Sequence, residues 1–139
     1  MVDKILHWVI LVFAALIAIN MAANIWQQLP FFFKTRDLHG QIGVASIGLS
    51  TGVFVPAAVL MYALSRKSRH AIWAMLALAL ATFGGSLILH QAAPLLTDDR
   101  AYHDMYYTTV NWIHFAFWLF VYALGALALV RLRNRGQLT

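Results

Sequence analysis

Four long apolar runs, 5–26, 42–64, 71–89 and 110–130, decide what this chain can fold into. Each is about 20 residues, the length that crosses roughly 30 Å of hydrocarbon at 1.5 Å per residue. The chain therefore reads as all-α: an integral membrane bundle of four antiparallel transmembrane helices in a single domain, 1–139. Lys4 and the small residues within Met21-Ala22-Ala23 give the first run some features of a signal peptide. Its apolar stretch is longer than the roughly 7–15 residues of a signal-peptide core, so it reads as a span.

Composition excludes the alternatives. With 62% hydrophobic residues and 11% charged ones, the chain is far from the soluble average of roughly half and a quarter. An aromatic content of 14% is the opposite of a disordered signature. The net charge of +5 and pI near 10.0 do not indicate nucleic acid, because the basic residues flank apolar runs, where orientation signals belong. The expected partner is the lipid bilayer. Without cysteine there is no disulfide, thiolate metal site or iron–sulfur cluster. Walker A, HExxH and GxGxxG patterns are absent, which argues against a nucleotide enzyme, zinc protease or dehydrogenase acting alone. Whether the chain is an enzyme stays open, an electron-transfer oxidoreductase subunit being the kind of activity expected if there is one.

Loop charges predict direction. Lys4, Arg66, Lys67, Arg69, Arg131, Arg133 and Arg135 flank one side and Lys34, Arg36 and Arg100 the other. The positive-inside rule then sets both termini in the cytoplasm of a bacterial inner membrane and Asp37, Asp98, Asp99 and Asp104 outside. Trp8, Trp26, Trp73 and Trp112, with Tyr106 and Tyr107, read as interfacial belts, and Phe31 to Phe33 after Pro30 as a short outer interfacial segment. Gly48 with Gly52, and Gly84-Gly85-Ser86, read as small patches for close helix approach, and Pro56 as a kink in the second span.

Ionisable groups inside a bilayer are costly, so intramembrane histidines are functional candidates. His7 lies near the cytoplasmic start and His70 in the basic loop, whereas His39, His90, His103 and His114 lie on the outer side. His114, among Asn111, Trp112, Phe115 and Phe117, needs a hydrogen-bond acceptor or a metal. Asn20, Asn24 or Asn111 could supply the former by interhelical bonding. Haem ligation is the latter: two neutral imidazoles on facing helices at one depth, with small residues making room. His39, flanked by Gly40 and Gly43, and His114 are on the same side.

His7-Trp8 opening the first span, His39 with Gly43 four residues on, a basic start to the third helix and His114 on the last span form an order that resembles the bacterial cytochrome b561 family. That resemblance implies a four-helix membrane protein binding haem b and exchanging electrons with quinone. It implies that His39 and His114 hold the outer haem. The family's inner haem uses the first-helix His and a second His on the fourth helix, but no His follows His114, so His7 is left without a partner. In addition, His39 lies 27 residues before Arg66 and His114 only 17 before Arg131, an offset in depth.

The expected function is a membrane b-type cytochrome or cytochrome-like subunit moving electrons between the quinone pool and an outer partner. His90 and His103 would accept quinol protons, and Tyr102, Tyr106 and Tyr107 would line the outer mouth. Two alternatives stand beside it. One is a haem-free accessory subunit docked to other subunits of a respiratory or photosynthetic complex. The other is an outer-face Cu or Zn site of His39, His90 and His103 with the nearby Asp residues.

Overall fold

The computed structural model describes residues 2–34, 38–96 and 109–139. Among them are four helices: α1 (Val2–Lys34), α2 (Leu38–Ser65), α3 (Ala71–Leu96) and α4 (Thr109–Asn134). Three stretches are long and apolar enough to cross a membrane, Val2–Pro30, Val44–Ser65 and Phe115–Asn134, and α3 contributes a shorter one over Ala71–Gly85. Only 17% of the most apolar window in each of the three is buried inside the protein. The helices thus carry far more apolar side chain than their mutual packing uses, including exposed Trp8, Leu16, Trp26, Trp73, Leu80 and Phe120. In water this surface would greatly exceed the few hundred Å² of apolar patch that soluble monomers expose.

The helices outrun the apolar runs. α1 continues through Pro30 to Lys34, so Phe31 to Phe33 extend the helix instead of forming a separate interfacial segment. Pro30 removes one backbone donor and crowds the Trp26 carbonyl, and only four residues follow it before the helix ends.

Among the described residues the helices form a ring: α1 packs on α2, α2 on α3, α3 on α4 and α4 on α1, with no contact across either diagonal. The centre is filled nearest the α2–α3 turn by Leu60, Leu64, Met75, Leu78, Leu129 and Leu132. Two glycines permit close approach. A Cβ on Gly85 would stand 3.0 Å from Leu49 Cδ2, and one on Gly125 would stand 2.9 Å from Met75 Cε. Gly48, Gly52 and Gly84, expected to serve that purpose, would meet nothing within 4 Å. Glycine pairs of this spacing permit contact only where a neighbouring helix crosses that face.

α2 and α4 end in the same way at the same end of the ring. Lys67 N–H bonds the Leu64 carbonyl (2.9 Å) and Ser68 N–H the Ala63 carbonyl (2.8 Å), while Gly136 bonds Arg133 (2.9 Å) and Gln137 bonds Leu132 (2.9 Å). This i−3 with i−5 pairing is the Schellman cap, which requires a left-handed residue. Gly136 (φ 68°) fills that position on α4 and Lys67 (φ 52°) on α2. Buried Leu138 and two backbone bonds of Thr139, to the Lys67 carbonyl (2.8 Å) and from Arg69 N–H (3.0 Å), tie the last residues to the α2–α3 turn.

Candidate functional site

Few polar groups lie within the apolar helices, and two sets of them pair across helices. Asn24 of α1 donates from Nδ2 to Ser50 Oγ (2.6 Å) and Ser46 Oγ (3.3 Å) on α2. Tyr122 of α4, the polar interruption in its apolar run, is buried. Its hydroxyl shares a 3.0 Å hydrogen bond with Thr82 Oγ1 of α3. Thr82 in turn donates to the Leu78 carbonyl at 2.9 Å. Around this pair stand Phe13 (5.7 Å from Tyr122, edge-on), Phe83 (5.6 Å, edge-on) and Trp118 (6.4 Å). Aromatic rings meeting edge to face suit their quadrupoles, and the cluster joins α1, α3 and α4. In the sequence Tyr122 stands out only as the polar residue in the otherwise apolar stretch 115–130. Its partner, one residue among several in α3, carried no signal.

The run Gly48-Leu49-Ser50-Thr51-Gly52, read above only as a Gly48 and Gly52 packing pair and not as a hydrolase motif, does spell the GxSxG of hydrolase nucleophile elbows. That chemistry needs a sharp strand-to-helix turn that exposes the serine. Here the run lies mid-helix in α2, and Ser50 is 4% exposed with its oxygen bonded to Asn24. It is an interhelical contact.

The histidines separate by end. His7 is half-buried and meets the Trp8 ring edge-on at 6.5 Å. His70 is exposed in the α2–α3 turn. His39, His90 and His114 lie on the backbones of α2, α3 and α4, but their side chains, with Asn111 and Trp112, lie outside the described ones. His103, Tyr102, Tyr106, Tyr107, Asp37, Asp98, Asp99 and Asp104 fall outside the described residues altogether. Of the suggested His114 partners, Asn20 is exposed, and Asn24 is oriented by donating its amide N–H groups to the two serines, its carbonyl oxygen being the atom an imidazole N–H would use.

Backbone register sets the levels of the three helical histidines. Thr82 opposite Tyr122 and Gly125 against Met75 fix α3 against α4, and the joined caps of α2 and α4 fix those two. From the α3 start His90 is 19 residues in, and from the α4 end His114 is 20 residues in. They differ by about one residue, roughly 2 Å along the axis. His39 is 28 residues from the α2 cap residue Lys67, and His114 is 22 from its counterpart Gly136. That offset of six residues is roughly 9 Å. Two axial imidazoles of one haem need a common level, which His90 and His114 meet and His39 and His114 do not.

The opposite end is basic. Asp3 and Arg131 pair α1 with α4 at 3.4 Å, although Asp3 Oδ1 gains no aligned hydrogen bond, and Arg66 covers the Tyr62 ring at 5.6 Å. With Thr139 bonded to Lys67 and Arg69, these contacts gather Lys4, Arg66, Lys67, Arg69, Arg131, Arg133 and Arg135 around one rim. No family model, curated protein or solved structure matches this chain.

Proposed function

We propose that the chain crosses a bacterial inner membrane four times as an antiparallel bundle, both termini cytoplasmic, and serves as a b-type cytochrome subunit. It would exchange electrons between the quinone pool and a partner at the histidine-bearing end. The observation that carries this reading is the level match of His90 and His114 on adjoining helices, at the end away from the basic rim. The exposed apolar surface and the one-sided distribution of basic residues support the membrane part.

The fit favours His90 and His114 as the two ligands, where the sequence alone suggested His39 and His114. Haem held there would supply one-electron transfer. The chain's part would be to present both imidazoles in the neutral form, which binds iron without displacing a proton. Thr82, Tyr122 and the rings around them would hold α3 against α4 so that the two levels stay matched.

The test is the absorption spectrum of the purified chain. A low-spin b-type Soret band is expected, lost or turned high-spin in His90→Ala and His114→Ala and kept in His39→Ala and His7→Ala. Loss in His39→Ala with retention in His90→Ala would restore the first pairing. No Soret band at all in a protein purified with haem supplied would overturn the cytochrome reading and leave the haem-free accessory subunit.

A further inference from the structure

The basic rim contains an open cleft of about 270 Å³ lined by Arg69, His70, Ile72, Trp73 and Arg133. It is smaller than the roughly 300–1,000 Å³ of ordinary small-molecule pockets, and its chemistry is divided. Two guanidinium groups come from separate elements, the α2–α3 turn and the end of α4, and Ile72 and Trp73 on the first turn of α3 form an apolar wall. Among the described residues neither Arg69 nor Arg133 has an ion pair, whereas Arg131 beside them is held by Asp3. Trp73 is 70% exposed, as an indole placed at a membrane–water boundary would be. Two arginines from separate elements lining one cleft suit the oxygens of a phosphate. An apolar wall next to them suits a phosphate that carries an acyl glycerol.

We propose that this cleft binds the phosphodiester head of an anionic phospholipid, between Arg69 and Arg133 with Trp73 against the glycerol region. The proposal rests on the membrane-spanning reading above, and does not depend on haem. The lipid would bridge the α2–α3 turn and the end of α4, which the protein itself joins through Thr139. Basic pockets between helices on the cytoplasmic side of membrane proteins recognise anionic headgroups by the same charge complementarity.

Native mass spectrometry of the full chain in neutral detergent, titrated with phosphatidylglycerol, phosphatidylcholine or inorganic phosphate, tests it. One phosphatidylglycerol should bind about tenfold or more in preference to phosphatidylcholine and survive millimolar inorganic phosphate. The double variant Arg69→Gln with Arg133→Gln should lose that preference, since two basic groups at a membrane surface account for about tenfold or more. Lys4→Gln, at the same end but outside the cleft, should keep it. Equal binding of the two lipids, or the same loss in Lys4→Gln as in the double variant, would overturn the site. Displacement by inorganic phosphate would assign the cleft to a soluble anion and overturn the lipid. Alkaline carbonate extraction separates the two readings: release from membranes overturns both, whereas a retained chain with no lipid preference overturns only the cleft.

Discussion

Thr82 and Tyr122 share a 3.0 Å hydrogen bond between α3 and α4, enclosed by Phe13, Phe83 and Trp118. In an apolar setting, polar pairs join helices with about 0.6 kcal/mol on average and up to about 1.7. Tyr122→Phe and Thr82→Val should each lower stability, and a double-mutant cycle in a detergent unfolding titration should return a coupling of about 1 kcal/mol. Additive effects would mean that the two hydroxyls act separately.

Gly125 and Gly52 should respond in opposite directions to an added side chain. Leucine at 125 would collide with Met75, whose Cε is 2.9 Å from the site of a first methyl, and overpacking of this kind costs about 1–3 kcal/mol. Gly52→Ala meets nothing within 4 Å and should raise stability, by up to about 1 kcal/mol from helix propensity. Thermal melts of both variants check the pair. Loss of stability in Gly52→Ala would reveal a neighbour on that face.

Lys67 occupies a left-handed cap position at φ 52°, where a residue with a Cβ is strained by about 1–2 kcal/mol. Lys67→Gly should relieve part of this and stabilise the chain by about 1 kcal/mol, measured as a higher melting temperature. The equivalent change at Gly136 (φ 68°), to Ala, should destabilise by a similar amount. A neutral result at both positions would mean that the caps are not formed in solution.

The absence of cysteine makes single-cysteine labelling clean. Ser68→Cys in the α2–α3 turn and a cysteine at Thr139 should both react from the cytoplasmic side, because the Thr139 backbone bonds join them. Gln27→Cys, on the exposed surface near the far end of α1, should not react from that side. Labelling of Ser68→Cys and Thr139→Cys from opposite sides would overturn the four-span arrangement.

The four helices were legible in the sequence because the physics that forms them is local. A run of about 20 apolar residues makes a helix long enough to span a bilayer whatever lies beside it. The basic residues at the run ends are equally local, and the contacts of Asp3 with Arg131 and Thr139 with Lys67 gather seven of them on one rim as their spacing suggested. What needed the tertiary structure was every choice among similar neighbours. Gly48, Gly52, Gly84, Gly85 and Gly125 look alike in the chain, yet of these only Gly85 and Gly125 face a crossing side chain within about 3 Å. Nothing in the chain tied Asn24 to Ser46 and Ser50, and geometry gave them its amide N–H groups. Helix register is likewise a property of pairs: residue counts from flanking arginines hinted that His39 and His114 differ in depth, but only the Thr82–Tyr122 and Met75–Gly125 contacts set His90 level with His114. A hydrophobic run carries no information about which residue of another run it will meet, because any apolar side chain gains about as much from lipid as from a neighbouring helix.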